Sequence, residues 1–331
     1  MRALVVCFTL LAGIAQAQPP APDAQTVSAI RRLIDEGQPA KAIERLRTLD
    51  LKHPSVAHLL ALAYYHADDH VKAIEMLSGN IGSLAAGSLE RREAEQILGL
   101  SLYAAGRLAE ALPHLEATRV WAKENLELHY MLGLAYLQTA KVDRAREALA
   151  ITFGVPADSA SAHLMTAQML IRLNLDTAAD EELKRALKAD PRLPQAQYLL
   201  GQVALFRGRL DESAEWTKRE LDANPGSAMA WYQLGDVYVR QSKWDDAIAA
   251  LQRSLWINPF YSGPYILLGR AYMRKAQPAT AEGMLRRAIQ YDPNNRTAHY
   301  VLAQLLQQIG RHDEAKAEFA IAEKLQGQPG R

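Results

Sequence analysis

A proline recurs at one constant interval through the second half of the chain, at Pro191, Pro225, Pro259 and Pro293. The residues before each proline repeat as well, because Leu234-Gly235 and Leu268-Gly269 fall at the same place in successive copies. A residue that precedes proline is pushed out of helical geometry, so each proline predicts the end of a helix. A period of roughly 34 residues predicts tandem copies of one supersecondary unit that cannot bury its apolar surface alone.

Seven copies follow one another in unbroken phase, with first residues 92, 126, 160, 194, 228, 262 and 296, and two looser copies begin near 23 and 54. Each copy predicts a first helix, a turn and a second helix. Small residues recur at the eighth position, as in Gly133, Gly235 and Gly269, and at the twentieth, as in Ala145 and Ala247. Glycine inside a helix costs about 1 kcal/mol relative to alanine, so we expect these two positions to lie where the helices of a pair touch.

The repeat resembles the signature of the tetratricopeptide repeat family, which in one copy reads Trp231, Leu234, Gly235, Tyr238, Ala247 and Pro259. The resemblance covers residues 23 to 327. It implies an all-α fold, a right-handed α-solenoid superhelix of about nine tandem helix-turn-helix repeats. The expected organisation is two looser repeats with an insertion in 23–91, seven in-phase repeats in 92–327, and a tail in 328–331.

The segment 1–17 has the features of a secretory signal peptide. Arg2 precedes an apolar stretch from Ala3 to Ile14, and Ala15-Gln16-Ala17 provides small residues for cleavage before Gln18. Residues 18–24 predict a short proline-rich leader. The single cysteine, Cys7, lies in the signal segment, so the mature chain has none with which to form a disulfide. We expect an exported bacterial protein, periplasmic or secreted.

The charge balance argues against nucleic acid as a partner. The chain has 38 basic and 37 acidic residues, and removal of Arg2 with the signal peptide leaves 37 − 37 = 0. A neutral chain lacks the excess of cations that binds a phosphate backbone. After the signal segment, no run approaches the roughly 20 apolar residues that a transmembrane helix needs, so we expect no membrane anchor in the mature chain.

Catalytic motifs are missing from the sequence. It contains no Gly-x-Ser-x-Gly, no phosphate-binding glycine loop and no His-Glu-x-x-His. The nearest metal-like cluster is His66-Ala-Asp-Asp-His70, which the repeat register places at a helix end and a turn, where polar residues are ordinary. We therefore expect a non-catalytic chain without a metal site or cofactor.

In the tetratricopeptide family the first helices line a concave groove, and the resemblance implies the same surface here. The groove positions of the first helices carry tyrosine, arginine and phenylalanine, which are frequent in binding hot spots. The candidate partner-binding residues are Tyr130, Arg172, Tyr198, Phe206, Tyr232, Arg240, Arg270, Arg274 and Tyr300.

Such a groove suits a protein or peptide ligand of acidic character. The leading interpretation is an exported scaffold that binds this ligand in envelope assembly, export or secretion. The alternative is an accessory or carrier subunit of a separately encoded enzyme, such as a glycosyl transferase or a peptidase.

Overall fold

Residues 22–326 are described by a computed structural model, and within this range the chain contains 18 α-helices and no strand. The all-α helix-pair solenoid predicted from the sequence is confirmed. The predicted signal peptide 1–17, residues 18–21 of the predicted leader and the predicted tail 328–331 lie outside the described residues. At the start of the described range, Asp23 accepts a hydrogen bond from the Thr26 backbone N–H at 2.7 Å and caps the first helix.

The helices fall into two compact units, and the chain divides between them after Thr152, near the end of α8. The first unit also holds a short 3₁₀ turn, Ile81–Ser83, inside the insertion. Its helices are α1 (Ala24–Asp35), α2 (Pro39–Leu46), α3 (Pro54–His66), α4 (His70–Ser78), α5 (Leu89–Ala104), α6 (Leu108–Arg119), α7 (Leu126–Gln138) and α8 (Val142–Phe153).

Up to residue 326, where the described range ends, the second unit contains five helix pairs. They are α9 (Ala160–Arg172) with α10 (Asp176–Ala189), α11 (Ala196–Phe206) with α12 (Leu210–Ala223), α13 (Ala228–Arg240) with α14 (Trp244–Ile257), α15 (Ser262–Arg274) with α16 (Pro278–Tyr291), and α17 (Arg296–Gln308) with α18 (His312–Gln326).

Glycines in the first helices set the spacing within the pairs. A Cβ placed on Gly235 would lie 2.5 Å from Leu251 Cδ2, and one on Gly269 would lie 2.6 Å from Leu285 Cγ. Both leucines are fully buried at the twenty-fourth repeat position. The glycine therefore faces the leucine at position 24, and its missing side chain lets the two helices approach. Position 20 borders the same contact, since a Cβ on Gly133 would lie 3.6 Å from the Ala145 carbonyl oxygen.

The turn inside each in-phase pair uses a left-handed backbone conformation at one repeat position. The φ angle there lies between 54° and 81°. A residue with a side chain pays a conformational penalty at such a φ, and only three of the seven positions carry glycine. The seven residues are Gly106, Ala140, Asn174, Gly208, Ser242, Ala276 and Gly310. The repeat register thus fixes the turn as well as the helices, although this position has no uniform residue type.

One contact in the second unit departs from the apolar pattern. Thr217 occupies the position of the packing leucine in the pair α11–α12. Gln233, from α13, donates from Nε2 to Thr217 Oγ1 at 2.7 Å and to the Tyr198 carbonyl at 3.3 Å. All three polar partners are satisfied inside the core, so this interface between neighbouring repeats combines hydrogen bonds with an apolar cluster that includes Leu205, Leu221 and Leu234.

Replacing glycine by alanine should change the free energy of unfolding in opposite directions at two helical positions. Gly235→Ala should lower the free energy of unfolding by about 1–3 kcal/mol, since the new methyl group overlaps Leu251. Gly283→Ala in α16 is the matched control, because nothing lies within 4 Å of its Cβ position. It should raise stability by about 0.5–1 kcal/mol through helix propensity. Urea unfolding followed by circular dichroism measures both, and equal shifts of one sign would contradict the assignment.

Candidate functional site: the first-helix groove of the second unit

A cavity of the groove lies over three successive first helices of the second unit, α13, α15 and α17. It has a volume of about 890 Å³. Arg270, Met273 and Arg274 of α15 form its middle, and Gln304 and Gln308 of α17 form one side. Its remaining lining residues are Val239, Ser242, Trp244, Ala276 and Val301. Arg270, Met273 and Arg274 are spaced to share one face of α15, and Gln304 and Gln308 to share one face of α17. Both faces border this cavity.

A second cavity of about 340 Å³ adjoins the first, because Arg270 lines both. It runs from Tyr232, Asp236 and Arg240 on α13 to Asn295 and Thr297 at the start of α17. Its remaining lining residues are Tyr261, Ser262, Gly263, Ile266, Leu267 and Arg270. Together the two cavities form a continuous recess along the first helices, which we call the α13–α17 groove.

The charges of the α13–α17 groove are not balanced. Arg240 is neutralised on its own helix, because its Nε and Nη2 atoms donate to the two carboxylate oxygens of Asp236 at 3.1 and 3.2 Å. Arg270 and Arg274 are exposed, and among the described residues neither has a carboxylate partner. The larger cavity therefore has two uncompensated guanidinium groups at its centre, and an acidic ligand would meet them there.

A pair of tyrosines forms the floor of the smaller cavity. The rings of Tyr232 and Tyr261 are edge-to-face with centroids 5.0 Å apart. Burial, followed by the influence of Tyr261 and Asp236, raises the pKa of Tyr232 above its ordinary value, so the hydroxyl stays protonated and can donate. Gly263 makes room for the pair, since a Cβ there would lie 2.9 Å from the Tyr261 ring and 3.1 Å from the Tyr232 ring.

Four of the predicted partner-binding residues, Tyr232, Arg240, Arg270 and Arg274, line the α13–α17 groove. Tyr198 lies beside it: its backbone carbonyl accepts a hydrogen bond from Gln233, and burial raises the pKa of its hydroxyl. The sequence reasoning missed Tyr261, Gly263 and Trp244, which also line the groove. All three residues lie at helix boundaries, and that position is the sequence signal that could have identified them.

The remaining predicted residues do not line the two cavities. Arg172 and Phe206 lie at the ends of α9 and α11, and Phe206 is exposed. Tyr300 packs edge-to-face on Phe319 of α18, with centroids 5.5 Å apart, so it covers the second helix of its own pair. Tyr130 belongs to the first unit, where its side chain is about one third exposed.

In the first unit, charged side chains on the first helices form a cluster in which they pair with one another. Arg31 of α1 donates from Nη1 and Nη2 to the Glu93 carboxylate at 3.1 and 2.6 Å, and His58 Nε2 of α3 lies 2.9 Å from Glu93 Oε2. Burial raises the pKa of Glu93, but the hydrogen bonds from His58 and Arg31 outweigh it and lower the value from 4.5 to about 2. This cluster links three successive first helices and satisfies its own charges.

The histidines of the metal-like motif lie around one aromatic ring. Tyr65 contacts both His66 and His70, with ring centroids 5.6 and 5.7 Å apart. Asp69 instead caps α4, because it accepts hydrogen bonds from Lys72. Across residues 22–326, no group of three or more histidine, cysteine, aspartate and glutamate side chains is close enough to hold a metal ion.

None of the helices between residues 22 and 326 is both long enough and apolar enough to cross a membrane.

Comparisons with known proteins return repeat proteins. Residues 102–169 and 272–329 match the family model described as Tetratricopeptide repeat, and residues 181–254 match the one described as Anaphase-promoting complex, cyclosome, subunit 3. No curated protein matches the chain. The segments that match the repeat model lie in both compact units.

Three of the matching solved structures each cover half of the chain. MamA from Desulfovibrio magneticus RS-1 is 22% identical over 50% of this chain and 94% of its own, with a TM-score of 0.47. TTC0263, described as a thermophilic TPR protein in Thermus thermophilus, is 25% identical over 50% and 91%, with a TM-score of 0.44. YrrB, described as a TPR protein with an unusual peptide-binding site, is 20% identical over 50% and 86%, with a TM-score of 0.43.

The Glu93 cluster predicts an acid-dependent loss of stability in the first unit. A carboxylate whose folded pKa is depressed stabilises the fold above its unfolded pKa, and this contribution is lost as the pH falls from about 4.5 to about 2. Glu93→Gln should therefore cost about 2 kcal/mol at pH 7 and converge with the parent chain towards pH 2.

Glu110→Gln is the matched control, because Glu110 forms an Arg–Glu pair with Arg107 that is fully exposed to solvent. It should change stability little at any pH. Thermal unfolding between pH 2 and pH 7 measures both variants. A Glu93→Gln penalty that is the same throughout this range would contradict the charge assignment.

Proposed function

The chain is a tetratricopeptide repeat protein, and from that premise we propose that it is a non-catalytic scaffold that binds an acidic protein or peptide segment in the α13–α17 groove. The observation that carries the proposal is the pair Arg270 and Arg274, which lie at the centre of an open cavity of about 890 Å³ and, within the described range, have no carboxylate partners. Exposed guanidinium groups that face a recess can form bidentate hydrogen bonds with carboxylates of a ligand.

The lining of the groove suits an extended segment. The two cavities follow successive first helices and form an elongated recess. Their lining includes both polar and apolar side chains. Gln304 and Gln308 can donate to and accept from a ligand backbone, whereas Met273 and the Tyr232–Tyr261 pair provide apolar contact. Tyrosine contributes a large contact area at low entropic cost, and arginine is enriched in binding hot spots, which supports the groove as the main binding surface.

Export is a second part of the proposal. The basic, apolar and small-residue segments of residues 1–17 support cleavage before Gln18 and a periplasmic or secreted mature chain that serves envelope assembly, export or secretion. Mass spectrometry of the protein from the extracytoplasmic fraction of a Gram-negative host tests this part. A chain that begins at Gln18 supports it, and an intact Met1 in the cytosolic fraction contradicts it.

The groove assignment predicts that the two uncompensated arginines determine the affinity for acidic ligands. Fluorescein-labelled decapeptide pools, one rich in aspartate and glutamate and one in which lysine replaces those residues, serve as probes in anisotropy titrations. The acidic pool should bind, and its affinity should fall as salt is added. Arg270→Gln with Arg274→Gln should weaken this binding about tenfold, or roughly 0.7 kcal/mol for each guanidinium group.

Arg286→Gln is the control for a lost positive charge, because Arg286 is paired with Glu282 at 2.7 Å on the second helix α16. It should leave the affinity unchanged. Equal affinities of the parent chain and the double variant would contradict the groove assignment, and so would a preference for the lysine-rich pool.

A further inference from the structure

A second surface of this unit exposes large aromatic side chains. Trp256, near the end of α14, is 73% exposed, and Phe260, in the loop that follows, is 74% exposed. Tyr291, at the end of α16, is 37% exposed. Leaving such side chains in water forgoes the free energy of burying them, and neighbouring exposed aromatics often mark a binding surface. With Arg253 and Arg287 of the same two helices, we call these residues the aromatic edge.

The aromatic edge is held in place by contacts behind it. Tyr265 is buried and donates from its hydroxyl to the Pro259 carbonyl at 3.0 Å, which fixes the loop that carries Phe260. Tyr265 also packs against Tyr291, and Tyr291 packs edge-to-face on Phe260, with centroid distances of 5.5 and 5.7 Å. The rings of Phe260 and Tyr291 therefore stand on a fixed base and need little ordering when they bind.

The arginines of the edge differ from their counterparts in earlier repeats. Arginine recurs at this position in four successive copies, at Arg185, Arg219, Arg253 and Arg287. Arg185 and Arg219 are paired with Glu182 and Glu215, at 2.9 and 2.5 Å. In the described part of the chain, Arg253 and Arg287 have no carboxylate partner, and the Arg253 guanidinium stacks on Trp256 at 4.3 Å. Among these four arginines, the cationic charge is thus uncompensated only where the exposed aromatic rings lie.

We propose that the aromatic edge binds the surface of a bilayer that contains anionic phospholipid, with Trp256 and Phe260 entering the headgroup region and Arg253 and Arg287 contacting phosphate groups. Tryptophan, tyrosine and arginine are the side chains that favour the boundary between water and hydrocarbon, and cations near an anionic bilayer are attracted to it. The edge contributes no residue to the lining of the α13–α17 groove, so this proposal does not depend on the proposed function.

The shape of the edge favours a bilayer over a folded partner. Trp256 and Phe260 project with about three quarters of their surface in water. Protein hot spots are packed, fully desolvated side chains, and a partner would need a matching pocket for each of these two rings. A fluid headgroup layer needs no matching shape, because it closes around any projecting ring.

Vesicle co-sedimentation tests the proposal with the chain from Gln18 onward, which contains every described residue and omits the apolar stretch 3–14. The probes are vesicles of pure phosphatidylcholine and vesicles with 30% phosphatidylglycerol, an amount chosen for the experiment and on the order of a strongly anionic membrane. We expect binding to the anionic vesicles that weakens with salt, together with a blue shift of tryptophan emission. Trp256→Ser with Phe260→Ser should reduce binding about tenfold or more and remove most of the blue shift.

Matched variants separate the edge from general charge and apolarity. Arg253→Gln should weaken binding about fivefold, whereas Arg219→Gln should have little effect, because Arg219 also stacks on a tryptophan but is already paired with Glu215. Leu89→Ser removes an exposed apolar side chain from the first unit and should change nothing. Circular dichroism verifies that each variant is folded.

Three results would overturn the proposal. One is equal binding to both vesicle types, and another is no binding to either. The third is a Trp256→Ser, Phe260→Ser variant that sediments like the parent chain. Loss of a protein partner from this variant, without any change in vesicle binding, would assign the edge to a protein interface instead.

Discussion

In the pairs α13–α14 and α15–α16, the contact between a first-helix glycine and a second-helix leucine is the constraint on which the groove depends. Gly235 and Gly269 lack the side chain that would overlap Leu251 and Leu285, so the two helices of each pair pack at short distance. Close packing within a pair leaves the outer stripe of each first helix free of the second helix. Because the register is the same in successive repeats, these free stripes follow one another and form a groove.

Charged side chains on the first helices are paired with one another in the first unit but not in the groove of the second. In the first unit, Arg31, His58 and Glu93 satisfy one another across three helices. In the second, Arg270 and Arg274 face an open cavity. Among the described residues, no carboxylate pairs with either guanidinium group. The charges of the first cluster are neutralised within the protein, whereas Arg270 and Arg274 remain available to pair with a ligand. A solenoid can in this way separate a stabilising surface from a binding surface without changing its fold.

The sequence was sufficient for the fold because the glycine, alanine and proline positions report backbone geometry directly. It could not show which groove residues are available, since availability depends on neighbours. Asp236 neutralises Arg240 from one turn away, and Tyr300 covers Phe319. The left-handed turn residues also escaped notice, because alanine, asparagine and serine share that position with glycine. The aromatic edge does not follow from the repeat pattern, since its rings, Trp256, Phe260 and Tyr291, stand at positions where the copies differ.

Photo-crosslinking of partners from two surface positions of the second unit distinguishes the groove from the opposite face of the helix pairs. A photoreactive amino acid would replace Gln304, which lines the larger cavity, or Ala249, an exposed residue on the second helix α14. We expect the Gln304 position to capture an acidic partner segment, and we expect the product to be lost when Arg270 and Arg274 are replaced by glutamine. Capture from Ala249 alone, or capture from Gln304 that does not depend on the two arginines, would contradict the groove assignment.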